Sequence, residues 1–451
     1  MSALASRIEA ARPRTAERRE LTGGVWAVYR TERRKLAAQL PARLLALVCV
    51  LGPFAFAAVL SLQSGVPSDT MFGVWVHSSG FAVSLVVLGF AGSWGFPVLA
   101  GVLAGDMFSA EDRHGTWKTV LTRAATRRQV FAGKVLAAAS FCCALLALAT
   151  LSSLAAGIVA TGDQSLVGLG GSLLSPASTL ALVLASWLAS LLPMLAFASL
   201  ALLFSLATRN GIVGVLGPVL VALAMQLLAL VGGGVWVHTL LLGSAFDDWH
   251  GLFAGHPFYG PLLLGAVVSL AWIAACLGAA WLILRRRDFA GAAVARRPGW
   301  IVPARVVLGA MALIAVLAAA SGWGPQAITA GRLEATLAPA FNDLTLLQQR
   351  QLGRTVPAGA RLRILPTCSR RAGTAQGPGD DWVCTLDVLI PQAGSDPFQQ
   401  TPVTYDMSVK SNGCYKAEAP PSFVGQQLMR DARGRSVVNP LFTIYGCFDT
   451  S

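Results

Sequence analysis

Three sets of residues in this chain of 451 have types and spacing that bear on chemistry. The first is the strongly basic segment Glu111–Lys134, EDRHGTWKTVLTRAATRRQVFAGK, punctuated by Gly115 and Gly133. Gly133-Lys134 is the only Gly-Lys pair in the chain. Val135 follows it and no glycine stands at the upstream position a phosphate-binding loop requires, so the chain is not expected to bind ATP itself. The second set is residues 236–259, with Trp236, His238, Asp247, Asp248, Trp249, His250 and His256. Its His and Asp spacing matches no established ligand pattern, and no metal is expected. The third is the eight cysteines. Cys49, Cys142, Cys143 and Cys276 lie in apolar runs, where a thiol acts as a small packing group. Cys368, Cys384, Cys414 and Cys447 lie in a more polar tail. Paired carboxylates and Ser/His/Asp spacing are lacking, so no catalytic residues are assigned.

The elements that must position these residues follow from composition. With 55% hydrophobic residues, 13% charged ones and a mean hydropathy of +0.61, an ordinary soluble enzyme of this size is excluded. Runs of about 20 apolar residues, enough to cross the hydrocarbon core, recur along the chain. Spans are expected at 42–62, 77–105, 135–160, 177–207, 211–235, 260–284 and 301–323, which makes an all-α polytopic membrane protein. The net charge of +13 raises the question of nucleic acid, but the basic residues sit in short segments between apolar runs, so no nucleic-acid partner is expected. Only five of the 35 basic residues are Lys, the mark of a GC-rich bacterial genome, and the expected location is the plasma membrane.

Loop charge sets the orientation. Residues 1–43 carry ten Lys and Arg, and further groups fall at Arg113–Lys134, at Arg209 and at Arg285–Arg297. All these groups lie on one side if seven spans cross. The opposite connections, 63–76, 161–176 and 236–259, hold no Lys or Arg. By the positive-inside rule the N-terminus is cytoplasmic and the tail is outside. No cleavable signal peptide is visible. The chain then divides into a cytoplasmic N-terminal segment (1–41), a six-span core (42–284), a cytoplasmic linker (285–300), a seventh span (301–323) and an extracytoplasmic domain (324–451).

That domain carries 12 Lys and Arg, 10 Asp and Glu, and four cysteines. Exported cysteines in this number suggest two disulfides, with three connectivities open. Helical spacing runs from Ile328 to Arg354, with Leu333, Leu337, Phe341, Leu344 and Leu347 on one face. Alternation at 403–409 and β-rich stretches at 382–390 and 441–447 predict strands, and Pro and Gly at 374–379 and 419–425 mark loops. A small α+β domain is expected.

In Glu111, Gly115, Thr116, Leu121, Thr126, Arg127, Gly133 and Lys134, the basic segment resembles the connector of ABC-2 type exporter permeases. There an acidic residue, a Gly-Thr pair, an apolar turn and a Pro-x-Ser/Thr-Arg element precede a Gly-Lys that opens the third span. Ala124 departs from the pattern, since the family often has Pro there, and this bears on the sharpness of the turn. The resemblance extends over roughly residues 20–285. It implies a six-span permease core, short re-entrant helices within 236–259, and a coupling helix in 111–134 that docks on a separate ATPase subunit. Lys118 and Arg128 join the coupling set. ATP and magnesium then belong to the partner, no cofactor belongs to this chain, and two permeases pair as a homo- or heterodimer. The bland alternative is a solvated basic connector facing anionic lipid.

An amphipathic entry helix precedes the spans. Val25, Val28, Tyr29, Leu36 and Leu40 form its apolar stripe, with Arg30 and Arg34 turned away. Glu32 falls inside the stripe, where a carboxylate needs a partner. That partner is a basic group of the connector or the ATPase, or else Lys35 one turn on. The resembling permeases often carry a similar Glu and Lys here. Pro97 and Pro193 are expected to kink the second and fourth spans, and Gly232-Gly233-Gly234 to let the fifth break or pack closely. The leading expectation is therefore an exporter permease for a hydrophobic or amphipathic substrate. The alternatives are a membrane-anchored enzyme, or a receptor or scaffold acting through the exported domain.

Overall fold

The computed structural model describes residues 14–63, 67, 70–122, 126–230, 241–287, 305–306, 308–309, 312, 328–357, 359–372, 376–391 and 398–449. In chain order the first elements are α1 (Arg14–Ala38), α2 (Leu40–Leu62), α3 (Gly80–Phe90), α4 (Phe96–Ala104), α5 (Ser109–Arg113), α6 (Trp117–Thr122) and α7 (Arg127–Thr161). After the two-residue strands β1 (Leu166–Val167) and β2 (Leu173–Leu174) come α8 (Pro176–Ala189), α9 (Leu191–Thr208), α10 (Gly211–Leu230) and α11 (Gly260–Arg286). Six helical segments among the described residues are long and apolar enough to cross a membrane: Leu40–Leu62, Gly80–Arg113, Arg127–Thr161, Pro176–Thr208, Gly211–Leu228 and Gly260–Arg286. They match the first six expected spans. The third starts at Arg127 rather than near 135, because Thr126 and Gln129 form a capping box that begins the helix within the basic segment.

Leu44, Leu47, Val48 and Leu51 of α2, and Leu216, Leu220 and Leu223 of α10, are exposed at helical spacing, as a lipid-facing surface requires. Inside the bundle, glycines let backbones touch. A Cβ on Gly105 would lie 2.4 Å from the Gly214 carbonyl carbon, and one on Gly80 2.5 Å from that of Gly157. The second span is interrupted just before Pro97 by a π-helical turn, Ala91–Gly95. The Gln226 amide of α10 donates to the Ser93 carbonyl at 2.9 Å. In the fourth span, the break at Ser190 falls just before Pro193. Gly232–Gly234, Trp236, His238, Ala124, most of 301–323 and the linker beyond Arg287 lie outside the described residues.

The C-terminal region is a small α+β unit. α12 (Ala330–Gln351) lies on a five-stranded antiparallel sheet of order β3-β4-β5-β6-β9. The strands are β3 (Arg363–Arg370), β4 (Gly379–Pro391), β5 (Phe398–Val409), β6 (Cys414–Glu418) and β9 (Thr443–Cys447); the short α13 (Pro421–Val424) and a hairpin, β7 (Leu428–Arg430) with β8 (Ser436–Val438), fall between the last two. Leu333, Leu337, Phe341 and Leu344 are buried, so the apolar face of α12 meets the sheet. The unit sits on the end of the bundle opposite α5 and α6. The Gly170 amide donates to the Tyr445 carbonyl at 3.0 Å, and Lys410 pairs with Asp247 at 3.2 Å. The Asn412 amide donates to the Asp247 carbonyl at 3.3 Å.

Candidate functional site

The residues singled out in the basic segment converge at one end of the bundle. Gly115, at φ 64°, has the left-handed conformation that glycine adopts without strain, and it ends α5. The chain then turns back so that the Thr116 hydroxyl donates to the Glu111 carboxylate. This fold-back aims Glu111 inward, where it is 6% exposed.

Glu111 meets two cations. Lys134, 2% exposed, places its ammonium 3.2 Å from Glu111 and 3.1 Å from Glu32, and donates to the Met107 carbonyl at 2.9 Å. These contacts use all three ammonium protons. Lys35 bridges the same two carboxylates at 3.0 Å (Glu32) and 2.9 Å (Glu111). Burial pulls the Lys35 ammonium down, but the hydrogen bonds and charges of Glu111 and Glu32 outweigh it and hold its pKa above the ordinary lysine value. Glu32 therefore has both partners that its sequence position left open. Two cations and two anions close a quadruplet shared by α1, the connector and α7.

Glycine makes that approach possible. A Cβ on Gly133 would stand 2.6 Å from the Val28 side chain and 3.1 Å from the Tyr29 amide nitrogen, so α1 lies directly on the α7 backbone. Tyr29 and Leu36 are buried as the stripe requires. Leu40 is a correction: it is 67% exposed, because α1 ends at Ala38 and Leu40 opens α2 with Pro41 behind it.

The remaining coupling residues lie further out. Lys118 and Leu121 are on α6, Leu121 partly buried; of Lys118 only the backbone is described. Thr126 is the N-cap of α7 and Arg127 donates to the Arg285 carbonyl at 2.6 Å, while Arg128 is exposed. Two contacts that sequence reasoning missed hold α6 in place. Trp117, 5% exposed, stacks on Phe108 at 6.3 Å with the Arg287 guanidinium 5.7 Å from its ring. Arg287 also grips Asp112 with both guanidinium nitrogens, one at 3.0 Å. The Arg285–Arg287 run serves the sequence argument only as orientation charge; a Trp within a strongly basic segment was the signal available. A cleft of about 630 Å³, lined in part by Ser109, Asp112, Arg113 and Asn210, opens beside this platform.

At the opposite end, His250 is buried beside Asp247, whereas His256 is exposed. Asp247 faces Lys410, and the His250 Nδ1 contacts the Asp247 carbonyl. The four tail cysteines pair as Cys368–Cys384 and Cys414–Cys447, with Cα separations of 4.1 and 3.9 Å. Each pair lies directly opposite in register, β3 to β4 and β6 to β9. Both edge strands are thereby tied to their inner neighbours. Of the other cysteines, Cys49, Cys142 and Cys276 are buried and Cys143 is exposed.

Fold and site together define a multi-pass helical membrane protein with an added α+β unit. Residues 50–290 match the model of a family described as a protein of unknown function, DUF2705, and the chain belongs to that family. No curated protein matches it.

Proposed function

We propose that the chain is the membrane-spanning permease subunit of an ATP-driven exporter of the ABC-2 type, moving a hydrophobic or amphipathic substrate out of the cell. ATP and magnesium are handled by a separate ATPase subunit, and two permeases pair in the membrane. The observation that carries this reading is the quadruplet of Glu32, Lys35, Glu111 and Lys134, buried except for Lys35, in the connector that also bears a short helix, α6, clamped by Trp117 and Arg287. A push on α6 by a docked partner would pass through packed contacts into α1, α7 and α11 instead of being absorbed by a loose loop.

The same reading places the N-terminus inside and the α+β unit outside. Arg287 closes α11 at the α6 end and Ile328 stands against the unit at the other, so residues 288–327 must connect the two ends, which supports a seventh crossing.

Purification of the full chain from its native membrane tests the proposal. An ATPase subunit with a phosphate-binding loop is expected to co-purify, and Arg128→Glu, outside the quadruplet, is expected to lower substrate-stimulated hydrolysis without unfolding the permease. Recovery of no ATPase, even after cross-linking, would overturn it. A receptor or scaffold acting through the exported unit predicts no effect of Arg128→Glu.

A further inference from the structure

Five arginines meet where α12 ends. Arg350 and Arg354 stand at its C-terminus, and the β7–β8 hairpin brings Arg430, Arg433 and Arg435 beside them. The Ala432 amide donates to the Gln351 carbonyl at 2.9 Å, and a Cβ on Gly353 would lie 2.8 Å from that of Ala432. All five side chains are exposed. The acid within the hairpin, Asp431, is already engaged: it takes the Arg435 guanidinium at 2.9 Å and the backbone amides of Arg433 and Arg435 at 2.8 Å. Arg354 donates to the neutral Gln349 and Arg430 to the Gly434 carbonyl. Arg350 and Arg433 have no side-chain partner among the described residues. Among the described residues, four guanidiniums thus lack a counter-ion.

Apolar side chains share this end. Phe423 is 55% exposed, and Leu428 and Leu352 are exposed as well. Leu428 and Arg430, two apart in one strand, share a face of the hairpin. Asn439 ties the segment before the hairpin to its end, donating to the Val424 and Gln426 carbonyls. The 22 residues of α12 make it about 33 Å long. Its middle, at Ala340, Asp343 and Leu344, rests on Gly171 of the bundle, and Arg350 and Arg354 lie further along the chain from that contact.

We propose that this end docks on the phosphates of anionic lipid headgroups in the leaflet beside the bundle. Guanidiniums meet phosphate as planar forks, and Phe423 and Leu428 suit the boundary between headgroup and acyl chain. Tethering to the membrane raises the effective concentration of the patch at that surface. The inference needs only the multi-pass bundle and the docked unit, so it stands or falls apart from the transport reading.

Hydrogen exchange of the full chain tests it, in nanodiscs of phosphatidylcholine alone or doped with phosphatidylglycerol. Peptides covering 428–438 are expected to exchange at least about fivefold more slowly in the doped discs, the factor one arginine is worth at an anionic surface. High salt should remove the difference. The variant Arg350→Gln with Arg430→Gln and Arg433→Gln should lose it too, with β4–β5 peptides unchanged as a check on folding. Equal exchange in both discs would overturn the proposal, as would protection that survives in the variant. Protection by soluble polyphosphate or polyglutamate, with none from phosphatidylglycerol, would overturn it in favour of a soluble polyanion.

Discussion

The Lys134 ammonium on α7 lies 3.1 Å from the Glu32 carboxylate on α1, and both side chains are buried. With Lys35 and Glu111 the group is balanced in charge, and its stability depends on that balance. Removing one member of a buried set leaves an uncompensated charge, which costs about 3–5 kcal/mol. Lys134→Met is therefore expected to lower the unfolding free energy of the detergent-purified protein by that amount, and adding Glu111→Gln should recover part of it. A loss below about 1 kcal/mol, the scale of a solvated surface pair, would show that water screens the quadruplet.

Gly133 sets how closely α1 approaches α7. A larger side chain meets the Val28 methyl and the Tyr29 backbone, and only the methyl can yield. Gly133→Val is expected to cost about 1–3 kcal/mol, as overpacking does, and to loosen α1. Limited trypsin digestion reports this directly: cleavage after Arg30, Arg33 or Arg34 should speed up in the variant. An unchanged digestion rate would mean that α1 is held by the quadruplet alone.

How much of this was legible in the sequence depends on whether the signal is local. The six membrane-length helices follow from apolar runs, and the buried face of α12 follows from its spacing at Leu333, Leu337, Phe341 and Leu344. The start of α7 did not follow from hydropathy, because Arg127 and Arg128 are polar yet helical; the Thr126-to-Gln129 capping signature was the local cue. Lys35 shows only its i+3 neighbour Glu32 in the sequence. That Glu111 completes its partners is a tertiary fact, created by the Gly115 turn. β-rich stretches located strands around Cys384 and Cys447 but not those around Cys368 and Cys414, and connectivity waited on strand order, which no local pattern encodes.

The two disulfides make separate stability predictions. Their separations of 16 and 33 residues correspond to about 3 and 4 kcal/mol of loop-closure entropy. Replacing Cys414 and Cys447 together by Ser is thus expected to destabilise the unit somewhat more than replacing Cys368 and Cys384. Peptide mapping without reduction checks the pairing itself: fragments should join Cys368 to Cys384 and Cys414 to Cys447. Free thiols at all four positions in protein from the native membrane would argue against an exported unit.

The last prediction concerns pH at the end of the bundle that carries the α+β unit. His250 is 6% exposed and stacks on Trp249 with ring centroids 4.0 Å apart. Burial pushes its imidazole down to about 4; nearby Asp247 pulls it up without compensating, and Lys410 pushes it further down. Between about pH 6.5 and 4 the unfolded chain binds a proton at His250 that the folded one refuses, so the contribution of His250 to stability falls as pH falls through that window. The size is up to about 3 kcal/mol, at 1.36 kcal/mol per unit. Asp247, which Lys410 holds below the ordinary carboxylate value against the effect of burial, loses its contribution only at still lower pH, whereas Asp248, whose carboxyl burial and the Asp247 charge push well above the ordinary value, takes up a proton in the folded chain first and works against the His250 effect. Thermal unfolding measured from pH 7 to 4.5 should show the native chain losing stability relative to His250→Gln as pH falls. The same slope in both proteins would assign the decline to another group.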